Sequence, residues 1–327
     1  MPRNIAYSPR KRLLAFRNRI HEPHWSKTRL KSTRSVPAIH KYILVCVSTT
    51  GRGATVDYKF PDGQSVMSPL RIALATGCLS LPLKDSLRVA ASLAVQGVQF
   101  DARDEIKPGD LTETGRRQFL HALDQQGLSV ASIAFPTRRS FYDADQLDAR
   151  VGAAKRTMEL AWQLQARIVT ARVGKIPDKE SKSYRLLQDV LGDLAQFGNQ
   201  VGATLAITPT HDTPAALAEL IDSVKTGPLG IDFDTAVFVM SGHAPAQALR
   251  TLSGSIIHLT ARDAIRDIDA GGSEVAVGRG EVEWVELLSF LGEVGYAGWV
   301  TVNRTQGDDR AGDAAKAVQY LRNVLLK

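Results

Sequence analysis

At 327 residues, 44% apolar and 23% charged, the chain has the size and composition of a soluble globular protein, enough for one barrel with an extension or for two small domains. Residues 1–66 carry 13 Lys/Arg against 3 Asp/Glu, whereas residues 67–327 carry 28 against 31, so the pI near 9.4 belongs to the head and supports no whole-protein argument for nucleic-acid binding. No run reaches the ~18–20 apolar residues of a membrane helix. The two cysteines, Cys46 and Cys78, have neither C-x-x-C nor zinc spacing, which reads as a reducing, cytoplasmic setting without disulfides.

Residues 1–41 are rich in Arg, Ser, Pro and His without sustained periodicity, so a disordered extension is expected over residues 1–66. An over-long start before Met67, a transit-like segment and a basic phosphate-attracting arm all fit it. Residues 42–66 hold a short apolar run and a Pro61-Asp62-Gly63 turn signal, consistent with a small hairpin. From Met67 onward strands and helices alternate. Apolar runs at Arg71–Thr76, Val98–Asp101, Leu128–Phe135, Arg167–Arg172, Thr204–Thr208, Leu229–Phe233, Ile256–Leu259 and Trp299–Val302 read as strands. Helical segments follow each, at 84–96, 112–126, 147–165, 183–200, 214–224, 245–252, from Trp284 to Leu291, and at 312–326. On the third, Val151, Ala154, Met158, Ala161 and Trp162 form an apolar stripe, and Trp162 and Trp284 are expected in the core. Eight such pairs in about 260 residues predict a (β/α)₈ TIM barrel. The alternative, a doubly wound sheet binding a dinucleotide, lacks a G-x-G-x-x-G after its first strand.

Polar residues collect at the strand ends, at His258, Thr260, Arg262 and Asp263 and again at Asn303, Arg304 and Thr305. Between them stand Gly278-Arg279-Gly280-Glu281-Val282-Glu283-Trp284 and Gly295-Tyr296-Ala297-Gly298. With His258 and Asp263 in the outer positions of a His-x-His-x-x-Asp pattern, this stretch resembles the xylose-isomerase-like TIM barrels described as sugar phosphate isomerases and epimerases. Residues 147–177, with their Gly174-Lys175-Ile176-Pro177 exit, resemble the same family, and the likeness spans roughly residues 70–325.

The resemblance implies a divalent metal such as Mn²⁺ or Mg²⁺, held by Glu, Asp, His and Glu at the ends of the last four barrel strands. Its task there is to polarise a carbonyl while a carboxylate moves a proton. Only Asp234 keeps that pattern; Thr208, Thr260 and Asn303 stand at the other three positions. One carboxylate does not hold a catalytic ion as four ligands do, so no cofactor is expected. Asp234 is then the leading catalytic candidate, with Thr208, Thr260 and Asn303 beside it and Asp232 as partner or decoy. Arg172, Arg262, Arg279 and Arg304, with His211, His258 and Asp263, are the candidates for binding a sugar or an anionic sugar derivative. His258 reads equally well as a satisfied core histidine.

Two functions follow: an isomerase or epimerase with altered machinery, or a non-catalytic relative that binds a small molecule or a partner. A repair endonuclease with a three-zinc site is set aside because residues 67–327 hold only His121, His211, His243 and His258. No membrane and no specific nucleic acid is expected as partner, and homo-oligomerisation stays open.

Overall fold

The computed structural model describes residues 70–267 and 271–325. The basic head, with the hairpin expected in 42–66, lies outside the described residues.

Eight strands close into a parallel barrel. In chain order the strands are β1 (Arg71–Ala75), β2 (Gly97–Asp101), β3 (Ser129–Phe135), β4 (Ile168–Ala171), β5 (Thr204–Ile207), β6 (Leu229–Asp234), β7 (Ile256–Ala261), β8 (Asp263–Arg266), β9 (Gly272–Val275) and β10 (Trp299–Val302). The barrel order is β1-β10-β7-β6-β5-β4-β3-β2, with every pair parallel, as crossover helices require. The helices are α1 (Leu83–Ser92), α2 (Glu113–Asp124), α3 (Leu147–Gln163), α4 (Lys182–Val201), α5 (Pro214–Ser223), α6 (Thr235–Met240), α7 (Pro245–Leu252), α8 (Trp284–Glu293) and α9 (Arg310–Leu325). Their starts are written in the sequence. The hydroxyls of Thr112, Ser181 and Thr213 accept from the backbone N–H groups of Gly115, Tyr184 and Ala216, capping α2, α4 and α5. Gly202 ends α4 in the left-handed conformation at φ 80°.

The expected barrel is therefore the observed one, and three features depart from the sequence reading. An antiparallel hairpin, β8–β9, stands where a polar loop was expected after β7. The six-residue α6 follows β6 at once, too short to leave a periodic signal. Trp162, expected in the core, is 56% exposed. It sits one residue past Ala161, a rotation of about 100° that carries it off the buried face centred on Ala154, Met158 and Ala161. Trp284 is buried as expected.

Candidate active site at the barrel mouth

The barrel interior changes character along its axis. Near the amino ends of the strands it is plugged by Trp299 packed with Ala73 and Ala131. Gly97 makes room for that plug, since a Cβ there would lie 2.8 Å from the indole ring. Above the plug the interior carries a hydrogen-bonded polar network. On β7, His258 is wholly buried, with Nδ1 2.7 Å from Asp232 Oδ1 and Nε2 facing the hydroxyls of Ser132 at 3.0 Å and Thr301 at 2.8 Å. A carboxylate only accepts, so Nδ1 carries the proton toward Asp232. The Thr208 hydroxyl donates to Asp232 Oδ2 at 2.7 Å and that of Thr260 to Oδ1 at 2.8 Å. Gln99 on β2 donates to Ser132 at 2.8 Å. Ser132, His258 and Asp232 thus lie in the order of a nucleophile triad, but Ser132 is fully buried and has no open path to a substrate. They form a satisfied core network that presents Asp232 upward.

At the carboxyl ends, Thr208, Asp232, Asp234, Thr260, Arg262, Arg172 and Asn303 line one cavity of about 240 Å³. Alternation explains the convergence: Asp232 and Asp234 are two apart on β6, as are His258 and Thr260 on β7, so each pair faces inward. Asp234 is not free, however. Its Oδ2 takes the Arg262 guanidinium at 2.7 Å, and its Oδ1 accepts from the Val237 N–H as the cap of α6. Arg262 also reaches Glu274 on β9 at 2.5 Å, Glu274 lies 3.2 Å from Arg304, and Arg304 donates to Asp313 on α9 at 3.0 Å. Burial opposes the charge on Arg262, but the carboxylates of Asp234 and Glu274 outweigh it and hold the guanidinium protonated above its ordinary range. For Glu274, burial pushes the pKa up, and the hydrogen bond and charge of Arg262 with the Thr305 donors bring it below the usual carboxylate value.

Besides the buried His258, four expected site residues stand outside that cavity's lining. Asp263 is turned away: its two oxygens accept from the N–H groups of Ala264, Gly278 and Val282 and from Trp284 Nε1, between 2.8 and 3.2 Å. Those four bonds saturate a carboxylate, so Asp263 braces the loop before α8. Arg304, expected to contact an anion, is 8% exposed and balanced by Glu274 and Asp313; it lines an adjoining cavity of about 290 Å³. His211 is exposed, with Nδ1 3.2 Å from the Ser241 hydroxyl. Arg279 is exposed in the loop before α8.

The sequence reading missed Glu105, in the loop after β2. Its carboxylate accepts from the Thr76 hydroxyl and the Asp101 N–H, each at 2.8 Å, and lines the 290 Å³ cavity with Cys78, Arg304 and Arg310. Burial, aided by the charges of Asp101 and Asp104, raises its pKa above the carboxylate norm. Burial likewise pushes the Cys78 thiol up to about 12, which favours the neutral thiol over the thiolate. No motif marks Glu105; only its position just past a strand end could have drawn attention to it.

Residues 87–324 match the profile of the xylose isomerase-like TIM barrel family. The chain belongs to that family. Among solved structures of xylose isomerase-like barrels, the xylose isomerase domain protein of Planctomyces limnophilus superposes with TM-score 0.69 at 24% identity, covering 78% of this chain and 96% of that one. A D-tagatose 3-epimerase-like protein superposes with TM-score 0.63 at 18% identity, covering 79% and 97%. An uncharacterized protein of Methanocaldococcus jannaschii is 24% identical over 182 residues, 51% of this chain and 59% of that relative's length. At these identities the structural likeness establishes the fold alone.

The mouth does not suit the divalent ion that the resemblance implied. Of the four positions, Thr208, Thr260 and Asn303 offer neutral oxygens, and Asp234 is already paired with a guanidinium. Among the described residues, no three of His, Cys, Asp or Glu cluster as metal ligands.

Proposed function

We propose that this protein binds a polyhydroxylated carbonyl compound of the sugar class in the mouth and interconverts it, as an isomerase or epimerase, without a divalent metal ion. The observation that carries this reading is Asp232. It borders the cavity, is backed by His258, and has three hydrogen bonds on an anion that can accept about four. In this reading Asp232 takes the proton from the carbon next to the carbonyl. Negative charge then grows on the carbonyl oxygen, where Arg262 and Arg172 supply positive charge and Thr208, Thr260 and Asn303 supply polar groups. Returning the proton to the former carbonyl carbon, while the hydroxyl proton of the adjacent carbon passes to the former carbonyl oxygen, gives the isomer; reprotonation of the original carbon from the opposite face by solvent gives the epimer. The likeness to a D-tagatose 3-epimerase-like protein supports the substrate class.

The test is solvent hydrogen exchange. Aldoses and ketoses incubated with the protein in D₂O are expected to gain carbon-bound deuterium by NMR. Asp232→Asn is expected to slow exchange by about 10²–10⁴-fold, the usual worth of a general base, and EDTA to leave the rate unchanged. A rate abolished by EDTA and restored by Mn²⁺ overturns the metal-free reading. The second reading, a binding protein without turnover, is favoured by the ion pair that neutralises Asp234. Saturable sugar binding by calorimetry with no exchange in any sugar would establish it instead.

A further inference from the structure

A second cavity, of about 570 Å³, lies between the loops that follow β2 and β3 and the first turns of α3. Arg103, Lys107, Arg138, Arg139, Arg150 and Arg156 line it, and no acidic residue does. Among the described residues, only Arg139 of the six has carboxylate partners, Asp143 at 3.3 Å and Asp145 at 2.5 Å. Arg150 is held by the backbone carbonyls of Asp143 and Asp145, and its buried Nε has no partner. Arg103 donates to the Pro136 carbonyl at 2.6 Å, tying the two loops together. Residues 67–327 carry more acids than bases, yet five cations without carboxylate partners converge here from three chain segments. Such a cluster repels itself unless an anion fills it.

The cavity shares Phe135, Pro136 and Thr137 with the mouth, so the two spaces adjoin at the end of β3. We infer that this annex binds a phosphate or diphosphate group, and that the protein's ligand is a phosphorylated sugar-class molecule whose polyhydroxyl part lies in the mouth. Guanidinium forks match the planes of phosphate oxygens and form charge-assisted bonds to them. A small ester suits the geometry better than a polymer, because the adjoining mouth is a cavity of about 240 Å³ bordered by the carboxylates of Asp232 and Asp234. The link to a sugar rests on the function proposed above; the anion site itself is read by binding alone.

Calorimetric titration of the full chain with pyrophosphate is the test. Saturable binding that weakens with added salt is expected. The exposed pair Arg138→Ala/Arg156→Ala should weaken it by about tenfold or more per guanidinium lost, with unchanged melting temperature. Asp232→Asn should leave pyrophosphate binding intact while slowing sugar exchange by about 10²–10⁴-fold, so the annex and the proposed chemistry fail separately. Absence of saturable binding overturns the inference. So does an affinity indifferent to the double substitution, which is what binding by the basic head would give. Tighter binding of a single-stranded DNA oligonucleotide through the same arginines would replace the small ester with a nucleic-acid surface.

Discussion

Glu274 carries two guanidinium groups on one buried carboxylate, with the Thr305 N–H donating to it as well at 2.9 Å. Removing such a partner leaves charges stranded where water does not reach them, and the cost is about 3–5 kcal/mol. Glu274→Gln is therefore expected to lower stability by that amount at neutral pH, measured by urea denaturation. The pH dependence has a definite sign. The folded pKa of Glu274 lies below its unfolded value, so its contribution is complete above about pH 4.3 and fades as pH falls through the folded value. The gap between wild type and Glu274→Gln should narrow below pH 4.3; an equal gap at pH 7 and pH 3 would assign the loss to packing instead. The same network changes the expectation for Arg304→Ala. With Glu274 and Asp313 as its partners, this variant should lose stability before it loses affinity.

The segment joining β7 to α8 shows how a motif can signal construction where binding was expected. Asp263 lay in a stretch whose polar residues suggested ligand contacts, but it gathers four N–H donors, from Ala264 beside it, from Gly278 and Val282 in the loop before α8, and from the Trp284 indole. The glycines serve that turn: Gly278 adopts φ 81°, and a Cβ on Gly280 would fall 2.2 Å from Asp263 Oδ1 and 2.4 Å from the Ala264 carbonyl. Gly280→Ala must displace the brace, at a cost of about 1–3 kcal/mol or more. Limited proteolysis of that variant is expected to cut between Val275 and Glu283, where the wild type resists; equal resistance would show that the loop stands without its brace. The hairpin β8–β9 belongs to the same construction, since it carries Glu274 back toward Arg262 and Arg304. Its strands of four residues are too short for alternation to separate them from a polar loop.

Across the whole barrel, a polar network fills the level below the mouth, where branched apolar layers are usual. Gln99, Ser132, Thr301, His258 and Asp232 bind one another across five strands, so the mouth rests on directional bonds instead of interchangeable hydrocarbon packing. The guanidinium of Arg262 stands among the positions expected to ligate a metal ion, which sets a condition on restoring one. Thr208→Glu, Thr260→His and Asn303→Glu together should raise Mn²⁺ affinity above wild type in an EPR titration. Adding Arg262→Gln, which frees Asp234, should raise it further. If the fourth change adds nothing, Arg262 is not what opposes the ion.

The barrel could be read before any coordinates existed, because apolar periodicity, caps and glycine stops are local properties of consecutive residues. The family resemblance singled out Thr208, Asp234, Thr260 and Asn303, and strand-end position added Arg262 and Arg172; the structure gathers all six around one cavity. What each side chain does there was not legible. Asp234 and Arg262 are 28 residues apart, Asp232 and His258 are 26 apart, and nothing in either neighbourhood says which carboxylate takes the guanidinium and which the imidazole. The arginine-lined annex draws on three segments whose charges, one by one, look like ordinary solvated surface. Strand order and side-chain direction across the closed sheet decide those pairings, since a charge's partner is set by distance in space and not by distance along the chain.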